Sequence, residues 1–152
     1  MGVQIRSLRA PVIAVSALVL LLSGCSGTPT VDIDAASAWF AAVDDESVGD
    51  AAAAAVGMKV GPGSSGEVRT DFAKPAEIIG ADARCYGGDD VTASVTVNLM
   101  TADGGQLTLT EQIVCDTEPH RIPFGDAYAR AVSASGTAPM PTYLYVTAVT
   151  AG

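Results

Sequence analysis

Between Val91 and Leu99 every second residue is apolar (Val91, Ala93, Val95, Val97, Leu99), and Thr92, Ser94, Thr96 and Asn98 fill the gaps. Period-two alternation places one set of side chains on each face of an extended strand, so this segment predicts a β-strand with one buried face. Asp103-Gly104-Gly105 follows as a hairpin turn, after which Leu107, Leu109, Ile113 and Cys115 resume the apolar set. The length of the turn follows from the faces. A two-residue turn would put the two apolar sets on opposite sides, because a slip of one residue flips every side chain. A three-residue loop, Asp103 to Gly105 with a glycine in the left-handed region, opposes Leu99 to Leu109, Val95 to Ile113 and Ala93 to Cys115. It leaves Glu111 opposite Val97, a carboxylate on the apolar face that needs either a bulge or a place at the rim.

Glu67–Phe72, Glu77–Cys85, Ala127–Ser135 and Thr142–Val149 are predicted strands, the last with Tyr143 and Tyr145 opposite Leu144 and Val146. Asp116 to Gly125 is a proline-containing connection with room for a short strand, and Gly61 to Gly66 is a loop. Before that loop, Asp34 to Val43 predicts a helix with Asp34 as its cap, Trp39 and Val43 at i, i+4 spacing, and Phe40 beside them as a lid on a core. Asp50, Ala51 to Val56 and Gly57 read as a second short helix, although its alanines show no amphipathic face. Six or seven short strands with regular turns predict a mainly β chain. The expected fold is an antiparallel β-sandwich, Ig-like or jelly-roll-like, with a short N-terminal helical segment.

The first 25 residues have a different composition. Arg6 and Arg9 precede an apolar run from Pro11 to Leu22, and Leu22-Ser23-Gly24-Cys25 ends it. The run of about a dozen residues suits a signal peptide and is too short for a spanning helix, which needs roughly 20. The four residues resemble the lipobox of bacterial lipoproteins. That resemblance implies cleavage between Gly24 and Cys25 by the lipoprotein signal peptidase and a diacylglyceryl group on the Cys25 thiol, with a palmitate-type chain among the acyl groups. Several acyl chains on one residue make a stable anchor, where one would bind reversibly. The expected organisation is a signal peptide over 1–24, a lipidated tether over 25–33, a helical and loop segment over 34–66 and the sandwich over 67–152. The expected location is the extracytoplasmic face of the cell membrane.

Charge and cysteine usage fit that compartment. The whole chain carries a formal charge of −9. Without residues 1–24, which hold two arginines and no acid, six basic side chains face seventeen acidic ones. A surface so acidic has no electrostatic footprint for nucleic acid and is repelled by anionic headgroups, so lipid rather than protein surface should hold it at the membrane. With Cys25 acylated, Cys85 and Cys115 remain, and an even pair in an exported chain reads as a disulfide. Lysine is confined to Lys59 and Lys74 among abundant alanine, glycine, threonine and valine, a bias that looks like high-GC bacteria. Arg84-Cys85-Tyr86-Gly87-Gly88, the alternating strand, the turn and Ile113-Val114-Cys115-Asp116 are together similar to small actinobacterial lipoproteins of unassigned function. The similarity spans roughly Glu77 to Val149, implies an Ig-like or jelly-roll-like domain, and brings no catalytic residues.

Catalytic chemistry has few candidates. His120 is the sole histidine, there is no GxSxG motif, and no free thiol remains for nucleophilic catalysis. Asp116-Thr117-Glu118-Pro119-His120 is the best cluster, because in an extended segment Asp116, Glu118 and His120 share a face and could converge on a divalent metal. Asp89-Asp90 after two glycines is a turn first and a weaker calcium candidate. No cofactor is expected. The leading expectation is an anchored binding module whose partner is a protein or an envelope component. A metal-dependent or carboxylate enzyme using Asp116, Glu118 and His120 is one alternative, and a passive envelope structural protein is the other.

Overall fold

The structure, a computed structural model, describes residues 30–46, 52–63 and 66–151. The leader, Cys25 and the first part of the tether lie outside the described residues, as do Asp50 and Ala51. One helix, α1 (Ile33–Glu46), precedes five strands: β1 (Ala52–Val60), β2 (Glu67–Thr101), β3 (Gln106–Asp116), β4 (His120–Thr137) and β5 (Thr142–Thr150). Among the described residues no helix is long and apolar enough to cross a membrane.

Strands β2 and β4 are too long to lie in one layer, and their pairing shows how they bend. The arm 67–71 of β2 pairs with 135–131 of β4, and the arm 76–83 pairs with 129–120, with register shifts between Asp71 and Ala76 and between Ile78 and Gly80. This antiparallel ribbon folds back on itself at those irregularities, where bulges increase twist and let strands change layers. Pro75 and Gly125 stand at the corner, and Phe72 and Phe124 pack against the core beside it. One layer then runs β1, β5, second arm of β2, start of β4. The other runs first arm of β2, end of β4, last arm of β2 (residues 94–101), β3. The result is an antiparallel β-sandwich made by folding a ribbon, closer to jelly-roll wrapping than to a stack of Ig hairpins.

The core lies between the layers. Val95, Val97 and Leu99 are fully buried from one side, and Leu144, Val146 and Ala83 meet them from the other. A methyl-sized group added at Gly136 would sit 2.7 Å from the Leu144 side chain, which shows how closely the layers approach. Burying each large aliphatic side chain contributes on the order of 1.5–3 kcal/mol relative to exposure.

Three sequence expectations are corrected here. Ala52–Val60 is a strand, not a helix: it pairs with β5 over its length, and Val56, Met58 and Val60 alternate into the core. Pairing with a waiting edge outweighs the helix propensity of four alanines. The cap of α1 is Asp32, whose Oδ1 accepts the N–H groups of Asp34 at 3.1 Å and Ala35 at 3.0 Å. The helix also runs on through Asp44, Asp45 and Glu46. Carboxylates are unfavourable at a helix C-terminus. Here the Tyr145 hydroxyl donates to Asp44 at 2.9 Å and Arg84 reaches Glu46 at 3.4 Å.

The central hairpin differs from its expected register. Its loop has three residues and a left-handed glycine, but it is Ala102-Asp103-Gly104, with Gly104 at φ +93° and the Thr101 N–H donating to the Gly105 carbonyl at 2.9 Å. The register therefore slips by two residues, so Leu99 faces Leu107, Val97 faces Leu109 and Val95 faces Glu111. An even slip keeps every side chain on its expected face.

Helix α1 covers the outer face of the β1/β5 layer. Phe40 packs at 5.3 Å from the Tyr143 ring and 5.5 Å from the Tyr145 ring, and Trp39 lies 5.8 Å from Tyr86. Gly57 makes this docking fit, since a Cβ there would be 2.1 Å from the Phe40 ring. The outer face of the other layer has no such cover among the described residues. Between β3 and the last arm of β2 it carries neutral hydrogen-bonding side chains, where Thr96 meets Thr110 at 2.9 Å and Thr108 donates to Asn98 at 2.7 Å, and on the first arm of β2 it carries the Arg69–Asp71 ion pair.

Candidate functional site at the two ends of the sandwich

The strands give the molecule two unlike ends. The chain enters at the first, where Thr30, Val31 and Asp32 border a cleft of about 370 Å³ with Tyr86, Gly87, Gly88, Cys115, Asp116 and Thr117. The Cys85–Cys115 disulfide lies at this end, fully buried, with Cα atoms 4.2 Å apart. The sequence predicts this pairing of Cys85 with Cys115. Cys85 pairs with β5 in one layer while Cys115 belongs to β3 in the other, so the bond ties a layer crossing and not a local meander. Cys115 also faces Gly88 instead of Ala93: the two-residue hairpin slip puts Ile113 opposite Ala93, and the register shifts again between Gly88 and Thr92.

Asp116 and His120 come together here: Asp116 Oδ1 lies 2.9 Å from His120 Nε2. Glu118 does not complete the set. Thr117 takes a left-handed φ of 74°, which breaks the two-residue repeat on which the expected convergence depends. Glu118 then contributes its backbone N–H to Asp116 Oδ1 at 3.0 Å, while its side chain is exposed. The hydrogen bond from His120, and after it the Glu118 N–H, hold the Asp116 carboxyl below the usual carboxylate range. Among the described residues no three His, Cys, Asp or Glu side chains are grouped to hold a metal ion. Asp90 is exposed, and the Asp89 side chain lies outside what is described. The cluster is a closed turn, stitched further by the Thr117 N–H donating to the Cys85 carbonyl at 3.0 Å.

The opposite end was not singled out by sequence. Leu107 is 40% and Tyr128 60% exposed, the exposed large hydrophobic side chains among the described residues. Both line one cleft of about 410 Å³, with Thr101, Ala102, Asp103, Asp126 and Ala127. The hairpin loop is fixed against β4 there, because the Ala102 N–H donates to the Tyr128 carbonyl at 2.8 Å. Asp103 accepts from the Thr101 hydroxyl and from the Gly105 N–H at 3.2 Å, and these bonds lower its pKa, the hydroxyl foremost. Its carboxylate is therefore held in place and charged. The one signal in the sequence was the strand Ala127 to Ser135 itself: Tyr128 takes the outward slot beside the buried Ala127 and Ala129.

From this cleft an open margin runs along β3. Among the described residues β3 bonds only to β2, so its other backbone edge is unpaired. Leu107, Leu109 and Glu111 point to the core side, opposite Leu99, Val97 and Val95. Leu109 is half-buried and Glu111 exposed, whereas Ile113 is buried, so the opposing layer covers only the disulfide end of the strand. The unexplained carboxylate of the sequence is thus a rim residue, with no bulge beside it.

No family model matches the chain, and no curated protein matches it. The solved structures to which the chain is similar include two from unlike proteins. The carbohydrate-binding module CBM32 of AlyQ, in complex with 4,5-unsaturated mannuronic acid, is 12% identical with a TM-score of 0.48, covering 61% of this chain and 75% of its own. PirA is 12% identical with a TM-score of 0.40, covering 62% of this chain and 92% of its own. At such scores neither bears on what this chain binds.

Proposed function

We propose that the protein is a lipid-anchored binding module of the bacterial envelope that presents its ligand site at the end remote from its anchor. The observation that carries this is the placement of Leu107 and Tyr128, the exposed large hydrophobic side chains, in one cleft at the end opposite Thr30. Large apolar side chains left open to water and gathered together mark an interaction site more often than single exposed ones do. The lipobox-like Leu22-Ser23-Gly24-Cys25 supplies the anchor in this reading. Five residues link Cys25 to Thr30, a reach of at most about 18 Å, which keeps the disulfide end close to the bilayer. The 11 residues of β3 then set the cleft about 35 Å further out.

A photo-crosslinking amino acid in place of Tyr128, in the lipidated protein on its own membrane, tests the site. A discrete adduct at position 128 that is absent with the same group in place of Thr117 is the expected result. Adducts at both positions or at neither would refute it. Cys25→Ser tests the anchor independently: the protein should lose both acylation and membrane retention, and a processed, membrane-bound product would count against the lipoprotein reading.

A further inference from the structure

We infer that the margin of β3 and the cleft beside it receive an extended basic segment of a partner protein, added as a strand to the sheet. The inference rests on the distal end being the binding end and names the class of ligand that fits it. Strand addition needs an unpaired backbone edge of useful length, and of the 11 residues of β3 those from 106 to 114 pair with β2 without a register shift. Side chains at alternate positions of an added strand would fall beside the core-facing residues of β3. Those read, toward the loop, Glu111, Leu109 and Leu107, followed by the Asp103 and Asp126 carboxylates across the cleft. The complementary strand has a cation opposite Glu111, two apolar residues opposite Leu109 and Leu107, and a second cation whose aliphatic stem crosses Tyr128 to reach the cleft carboxylates. The other face of β3 is neutral (Thr108, Thr110, Gln112) and imposes no charge on the partner. The surplus of acids over the whole chain attracts such a segment at long range.

The probe is the palindromic peptide Lys-Thr-Val-Thr-Val-Thr-Lys, which presents the same pattern in either strand direction, against its counterpart ending in glutamates. Binding to the full-length protein is read by fluorescence anisotropy. The lysine peptide should bind and weaken with added salt, and the glutamate peptide should not bind. Glu111→Lys should weaken the lysine peptide about tenfold, as expected when an attraction becomes a repulsion. Glu67→Lys, the same charge change on the far margin of that layer, should leave binding unaltered. Equal binding of both peptides, binding of neither, equal effects of the two lysine variants, or binding of an uncharged oligosaccharide such as maltohexaose in their place would overturn the proposal. If position 128 still crosslinks on the membrane while the lysine peptide fails, the distal site stands and only this ligand class falls.

Discussion

Glu111 is the residue at which the chain departs from its own pattern. It shares a face with Val95, a fully buried residue, yet it stays exposed because the opposing layer stops short of it. A charge pointing inward from an edge strand prevents that edge from zipping onto another copy. Glu111→Val should therefore turn the protein into a larger, concentration-dependent assembly than the parent, read by sedimentation velocity, while a sedimentation profile equal to the parent's would deny Glu111 this role. Asp103 and Asp116 act at the same scale through protons. Each has a folded pKa below its ordinary value, set by Thr101 for the first and His120 for the second. The unfolded chain then binds more protons, so their stabilisation is fully present above the ordinary carboxylate range and is lost as pH falls through the depressed values. Asp103→Asn should flatten the acid limb of stability against pH, measured as urea midpoints across that range.

At the scale of elements, α1 stays in place through aromatic packing more than through charge. Phe40 occupies the space a side chain at position 57 would need. Gly57→Val should displace the Phe40 ring and cost about 1–3 kcal/mol, as overpacking does, seen as a lower denaturant midpoint with an unaltered slope. The elements also show what sequence could supply. Alternation from Val91 to Leu99 placed those side chains correctly, and even the misjudged hairpin loop kept their faces, because its error was two residues. Strand β1 was missed at Ala52 to Ala55, where alanine carries no periodic signal, although Val56, Met58 and Val60 alternate legibly. The Asp116, Glu118, His120 convergence failed because one left-handed residue, Thr117, interrupts the repeat. The distal cleft was illegible because Leu107 and Tyr128 lie 21 positions apart on strands that meet only through the folded ribbon.

For the whole molecule, the bend in the β2/β4 ribbon decides the rest. It turns one antiparallel pair into two layers, brings both cysteines to the end where the chain enters, and leaves the far end open. The disulfide closes a sequence separation of 30 residues across that layer crossing. In the chain-entropy view, replacing Cys85 and Cys115 together with serine should cost about 3–4 kcal/mol, checked by denaturation of the oxidised parent against the double variant. In the proposed anchored arrangement the two ends face opposite ways on the membrane. A fluorophore attached at position 117 or at position 128 of the lipidated protein, in vesicles carrying a spin-labelled headgroup, measures this directly. Strong quenching at 117 and little at 128 is the predicted result; equal quenching, or stronger quenching at 128, would contradict it.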